Sequence, residues 1–159
     1  TGKAYEIHCR RPVSGGPEQV LLDENLLAAG HKHLSLGALR VSPDHKLLAY
    51  SVDTSGDETF ELRVRDLETG KDLPDRVRGT YYGVEWGNDS NTLFYTTIDA
   101  AHRPYRAHRH VLCQPATTDV VLYEERDERF HLWLGKTRSE RFLTVTLESS
   151  LTKIGRAHV

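Results

Sequence analysis

The chain has 159 residues with 21 Lys+Arg against 23 Asp+Glu and a formal net charge of −2, so no basic field draws it to nucleic acid or to an anionic membrane. Its length suits one ordinary domain, and no apolar run approaches the roughly 18 residues of a transmembrane helix. Its two cysteines, Cys9 and Cys113, stand alone in strand-like runs and are expected to be buried reduced thiols, which points to a cytoplasmic compartment.

Taken in order, Tyr5–Arg10 alternates apolar with polar and reads as a strand, closed by Pro12 and the Ser14-Gly-Gly-Pro17 turn. Gln19–Leu22 completes a hairpin with it. Asp23 ahead of residues 24–29 and Gly30 behind them predict a single helical turn, a connector only. Leu36–Ser42, a Pro43-Asp44 turn and Leu47–Asp53 follow, then a turn at Thr54–Asp57 and an alternating strand at Thr59–Arg65 with one packed and one solvated face. Asp66–Gly70 is a tight turn whose aspartate bonds its own backbone two residues on. The same succession runs again through Tyr105–Leu112. After it come Val120–Tyr123, an acidic turn at Glu124–Glu128, and a further strand pair.

One phrase recurs. Leu39-Arg-Val41-Ser-Pro-Asp44-His-Lys-Leu47-Leu48-Ala-Tyr50 returns as Val84-Glu-Trp86-Gly-Asn-Asp89-Ser-Asn-Thr92-Leu93-Phe-Tyr95, 45 positions later. A weaker copy, Leu134-Gly-Lys-Thr-Arg-Ser139-Glu-Arg-Phe142-Leu143-Thr-Val145, lies a further 50 positions on. Strand-rich repeats of roughly 40–50 residues are the mark of β-propeller blades. The fold expected is therefore all-β, a partial β-propeller of about three blades, where closure takes roughly four to eight. With no methionine and an opening at Thr1, the chain is expected to be an internal piece of a longer protein. Residues 1–153 are expected to be the partial propeller. Ile154-Gly-Arg-Ala-His-Val159 reads as a translated sequencing adapter, a tail to be left out of fold reasoning.

The wording of the blades is more specific than the fold requires. Leu21-Leu-Asp-Glu-Asn25, Ala29-Gly-His31, Val41-Ser-Pro-Asp44, Leu48-Ala-Tyr-Ser-Val-Asp53, Asp66-Leu-Glu-Thr-Gly70, Trp86-Gly-Asn-Asp89, Leu93-Phe-Tyr95, Arg103-Pro-Tyr105 and Tyr123-Glu-Glu125 occur in that order. The series resembles the N-terminal propeller of the prolyl oligopeptidase family of serine peptidases, in its oligopeptidase B branch, across about residues 3 to 150. The resemblance implies a cytoplasmic enzyme whose seven-bladed propeller caps a C-terminal α/β-hydrolase domain and gates short peptides that are cut after Arg or Lys. It leaves open post-proline cleavage or an inactive relative. A non-enzymatic propeller scaffold is the rival of another class. The chain holds no Gly-x-Ser-x-Gly nucleophile elbow, so no catalytic, cofactor-binding or metal residue is assigned. The partners implied are short peptides and the hydrolase domain, with no nucleic acid and no membrane.

Other clusters carry bland readings. His31/His33 and His108/His110 are i,i+2 pairs that share a strand face, yet no third or fourth ligand converges on them as zinc requires. Arg103–His110 reads as a solvated outer strand rather than a phosphate track. Asn88-Asp-Ser90 matches a glycosylation sequon inside a turn. The acids at Asp57-Glu58 and Glu124-Glu125 read as turn formers. Leu39, Leu48, Tyr50, Leu93, Tyr95 and Leu143 are expected to line two open blade faces.

Overall fold

In the computed structural model, which describes residues 4–151 and 153–158, β1 (Ile7–Arg10) and β2 (Gln19–Asp23) form an antiparallel hairpin, and α1 (Glu24–Leu27) is the helical turn that follows. Asp23 caps that turn, its carboxylate accepting from the Asn25 N–H at 2.9 Å. Then β3 (Ser35–Val41), β4 (Leu47–Asp53), β5 (Phe60–Asp66), β6 (Asp72–Trp86), β7 (Thr92–Ile98), β8 (Pro104–Val111) and β9 (Val120–Glu124) pair in chain order as one antiparallel sheet. β10 (His131–Lys136), β11 (Leu143–Glu148) and β12 (Lys153–His158) form another.

The seven-stranded sheet is two blades joined through β6. The first half of β6 pairs with β5 from Asp72 to Thr80, and its second half pairs with β7 at Thr80 and again over Val84–Trp86. Gly79 sits at the changeover with φ 73, a left-handed conformation that glycine adopts without a Cβ clash. One blade is thus β3, β4, β5 and the start of β6. The next is the end of β6, β7, β8 and β9, and β10–β12 belong to a third. The expected all-β partial propeller is what the chain forms. The backbone of Lys153–His158 pairs along β11, which main-chain groups do whatever the side chains are.

The repeated phrase is a repeated hydrogen-bond pattern. At the three turns, the N–H of Ser42, Gly87 and Thr137 reaches the carbonyl of Leu47, Thr92 and Phe142. The N–H of His45, Ser90 and Glu140 folds back to the carbonyl of Ser42, Gly87 and Thr137. His45, Ser90 and Glu140 all have positive φ, between 54° and 63°. The weak third copy is therefore a true third turn, although its side chains differ.

Three apolar layers lie between four slabs. Leu21, Leu22, Leu34, Leu48, Tyr50, Val52 and Leu67 form the layer between the hairpin and blade one. Ala49, Leu62, Val64 and Val77 meet Val84, Trp86, Leu93 and Tyr95 between blades one and two. Ala107, Leu132, Val145 and Leu147 fill the layer between blades two and three.

This corrects two expectations. Leu48, Tyr50, Leu93 and Tyr95 do not line open faces: they are at most 3% exposed. The hairpin covers Leu48 and Tyr50, and blade one covers Leu93 and Tyr95. Cys9 and Cys113 are free but exposed, not buried. Cys9 lies on the open face of a hairpin that has no third strand among the described residues, and Cys113 lies in a turn at φ 62.

Candidate functional site

In a propeller the working surfaces are the axial channel, the rims and the seams that hold the blades in a ring. Polar seams recur with the same 45-residue period as the turns. In blade one, the Tyr50 hydroxyl donates to Asp72 at 2.7 Å, Arg65 donates to the same carboxylate at 2.9 Å, and the Arg65 guanidinium lies 5.4 Å from the centre of the Tyr50 ring. In blade two, Tyr95 donates to Asp119 at 2.7 Å and His110 takes the place of Arg65, its Nδ1 2.7 Å from Asp119.

His110 does more than its counterpart. Its Nε2 lies 2.9 Å from Asp75, which belongs to the end of blade one. The side chains of His110, Asp75 and Asp119 are 1%, 2% and 4% exposed. Both ring nitrogens face carboxylate oxygens, so His110 bridges Asp119 of blade two and Asp75 of blade one and ties the two blades together. The Cys113 N–H adds a third bond to Asp75 at 2.7 Å. Burial, with the Asp119 hydrogen bond second, pushes the Tyr95 phenol far up, so Tyr95 remains a donor.

The inner strands stand side by side. Trp86 Nε1 donates to the Arg40 carbonyl at 2.8 Å across the first seam, and Arg40 lies 4.0 Å from Glu85. Burial raises the Glu85 carboxyl, and the charges of Arg40 and Lys136 oppose that rise. Along one rim the turns hold one another in sequence. The Asp44 N–H donates to Ser90 Oγ at 3.1 Å, Asn88 Nδ2 donates to the Glu140 carbonyl at 3.0 Å, and Lys136 Nζ donates to Asn88 Oδ1 at 2.7 Å. Phe94, Arg109, Leu122, Lys136, Arg141 and Leu143 help line a groove of about 530 Å³.

On the opposite rim Asp53 organises the turn between β4 and β5. Burial pushes its carboxyl up, but the Ser55 hydroxyl and the N–H groups of Gly56, Ser55 and Glu58 outweigh this and hold it at about 2. Its unfolded value is 3.8, so its contribution is full above that value and is lost as pH falls toward 2. A lowering of this size corresponds to about 2 kcal/mol, as one unit is roughly 1.4 kcal/mol. Asp53→Asn is therefore expected to lower the unfolding free energy by about 2 kcal/mol at pH 7. The gap from the parent should shrink between about pH 5 and pH 2, read by urea unfolding across that range. A gap that stays constant with pH would show that the charge of Asp53 is not what holds the turn.

The residues singled out by sequence are placed as follows. His31 and His33 do not converge on a ligand set: His33 Nε2 is 3.8 Å from Asp53, and both rings are exposed. His108 Nε2 contacts Thr97 Oγ1 at 3.0 Å, its ring stacks on Tyr95, and burial lowers its pKa. The solvated-strand reading of Arg103–His110 needs correction, because Arg103, Ala107 and His110 are buried. The alternation of β8 is intact: His108 and His110, paired with Tyr95 and Leu93, share the face toward blade one, and Ala107 packs on the other face against blade three, so both faces are covered. Arg103 pairs with Asp99 at 2.9 Å and donates to the carbonyls of Glu125, Asp127 and Phe130, joining two loops.

Asn88, of the sequon, spends its side-chain amide on the rim contacts already given. Asp57 accepts from the Ser55 hydroxyl and the Thr59 N–H, Glu124 pairs with Arg106, and Glu125 accepts from the Asp127 N–H. Asp57 and Glu125 are turn groups, as read, whereas Glu124 closes strand β9. What sequence reasoning missed is the set around His110. The 45-residue spacing of Arg65 and His110, matched by Tyr50 and Tyr95, was the signal for half of it.

Comparison with known proteins gives a consistent picture. Residues 1–158 match the family described as "Prolyl oligopeptidase, N-terminal beta-propeller domain". The chain is 36% identical over 169 aligned positions to dipeptidyl aminopeptidase BI of Pseudoxanthomonas mexicana, covering 96% of this chain and 23% of that protein. It is 35% identical to protease 2 of Moraxella lacunata, covering 94% of this chain and 23% of the relative. Oligopeptidase B from Leishmania major superposes with a TM-score of 0.93 at 31% identity, over 98% of this chain and 23% of the other. Oligopeptidase B from Trypanosoma brucei, with covalently bound antipain in a closed form, superposes at 0.90 and 34% identity, over 99% of this chain and 22% of the other. The chain thus spans under a quarter of the length of these relatives. Among the described residues no helix is long and apolar enough to cross a membrane.

Proposed function

This chain belongs to the prolyl oligopeptidase N-terminal β-propeller family, and we propose that its whole protein is an oligopeptidase B-like serine peptidase cutting short peptides after Arg or Lys. In this reading the chain is part of the propeller that caps an α/β-hydrolase domain in the cytoplasm. The observation that carries it is superposition on two oligopeptidase B structures at TM-scores of 0.93 and 0.90 over nearly the whole chain. The ring supplies a steric gate. Blades held by the His110 seam and the chained rim turns leave an axial passage for unfolded peptide and exclude folded protein from the chemistry. A second reading, removal of dipeptides from a free N-terminus, is favoured by the name of the 36%-identical relative. We also read Ile154–Val159 as adapter-derived; the backbone of residues 154–158 pairs along β11.

The test is the complete gene and its product. Sequence beyond Lys153 is expected to diverge from Ile154–Val159 and to encode further blades, then a Gly-x-Ser-x-Gly elbow followed by Asp and His. The purified enzyme is expected to hydrolyse N-terminally blocked Arg and Lys substrates, and the 159-residue chain alone is expected to hydrolyse none. Preference for free-N-terminal dipeptide substrates would favour the second reading, and preference for Pro would overturn the specificity. Blades with no elbow would replace the enzyme with an interaction scaffold.

A further inference from the structure

The N-terminal hairpin brings together three groups that its sequence keeps apart. Glu6, just ahead of β1, and His8, within it, are two residues apart and share one face of the extended chain. Glu24, at the start of α1, lies opposite them, its N–H bonded to the Glu6 carbonyl at 3.1 Å. His8 Nε2 is 2.7 Å from Glu24 Oε1 and 3.9 Å from Glu6 Oε2, and one donor atom from each of the three residues lies within 4.8 Å of the others. We propose that Glu6, His8 and Glu24 form a binding site for a divalent transition-metal cation, zinc foremost.

The charge balance supports this. Two carboxylates and a neutral imidazole carry the charge that a divalent cation cancels, and the Glu24 and His8 side chains are only 11% and 21% exposed. One imidazole with two carboxylates suits zinc and its neighbours, whereas calcium and magnesium take oxygen ligands alone. Zinc bonds of about 2.0–2.2 Å put tetrahedral ligands roughly 3.3 Å apart. The 2.7 Å and 3.9 Å contacts of His8 bracket that spacing, and the Glu6 and Glu24 donor atoms lie within 4.8 Å of each other. Glu6, with its side chain 83% exposed, leaves the fourth position to water.

The backbone around the site is already fixed. The Asn25 side chain accepts from the Tyr5 N–H at 3.1 Å and donates to the Tyr5 carbonyl at 3.0 Å, holding the residue next to Glu6. Asp23 holds Asn25 in turn at 2.8 Å. Supporting bonds of this kind orient ligands before the ion arrives. A bound ion would pin the hairpin to α1, the slab that covers blade one.

The experiment is titration of the 159-residue chain with zinc chloride by calorimetry, with visible absorption of the cobalt(II) form as a second readout. One equivalent should bind, with a tetrahedral cobalt spectrum and a zinc-dependent rise in Tm. Glu6→Gln changes an exposed group outside the hairpin's bonding, so it should fold as the parent does and bind at least roughly tenfold more weakly. His8→Gln should abolish the cobalt spectrum and the Tm rise, while His31→Gln should leave both intact. Absence of binding at millimolar zinc, or parental affinity in Glu6→Gln or His8→Gln, would overturn the site and leave His8–Glu24 as a plain ion pair.

Discussion

Replacing His110 with alanine is expected to cost about 3–5 kcal/mol of stability, the usual penalty for removing one partner of a buried ion pair. Asp75 and Asp119 would stay inside, 2% and 4% exposed at their side chains, with no imidazole between them. Each keeps one donor, the Cys113 N–H for Asp75 and the Tyr95 hydroxyl for Asp119, but Asp75 Oδ2 already has no partner among the described residues. A loss of this size approaches the whole margin of a small domain, about 5–15 kcal/mol. Fluorescence offers a local readout, because Trp86 is 3% exposed in the seam between blades one and two, whereas Trp133 is 39% exposed. Urea unfolding of His110→Ala, followed by tryptophan emission, should show the loss. The triple variant with Asp75→Asn and Asp119→Asn should recover part of it, because it removes the orphaned charges. A cost under about 1 kcal/mol for His110→Ala would place the cluster among ion pairs of little net worth.

The blades were legible because the turn chemistry repeats. Positions 45, 90 and 140 must each adopt positive φ to close the same two hydrogen bonds, and that demand keeps the polar turn residues at a regular spacing. Strand phase was legible for the same reason in β5, where Phe60, Leu62 and Val64 alternate into the core. It failed in β8, where both faces are covered, Ala107 packing toward blade three and His110 toward blade one. The seam around His110 escaped because Asp75 belongs to the preceding blade, 35 residues away. Contact across a seam depends on how blades are rotated against each other, which no local period reports. The hairpin escaped similarly. Its strands were legible, but its packing over Leu48 and Tyr50 was not, so those residues read as an open face when they are covered. The cluster of Glu6, His8 and Glu24 needs the same hairpin register before it can be seen.

Deleting residues 1–29, the hairpin with α1, is expected to abolish cooperative folding. The hairpin layer removed includes Leu21 and Leu22, with Tyr5, Leu27 and Ala28 packed at its border. The surface laid bare holds Leu48 and Tyr50, now 0% exposed, and Val52 at 3%. Each large apolar side chain returned to water forfeits about 1.5–3 kcal/mol, so the uncovered and deleted groups together reach the stability margin of the fold. The polar ties go as well: Gln19 Nε2 donates to the Leu67 carbonyl at 2.7 Å, and an Arg10 guanidinium nitrogen donates to the His45 carbonyl at 2.7 Å. A milder variant keeps the argument quantitative. Leu22→Ala, at a position 0% exposed, should cost about 2–5 kcal/mol, with the loss growing with the cavity that remains. The truncated chain should elute as aggregate at micromolar concentration and give a broad unfolding curve, because blade one would present an apolar face that pairs with any other. A truncated monomer that unfolds sharply, at a midpoint equal to that of the parent, would mean that blade one is held by its seam to blade two alone. The hairpin would then be an appendage rather than the fourth slab of the fold.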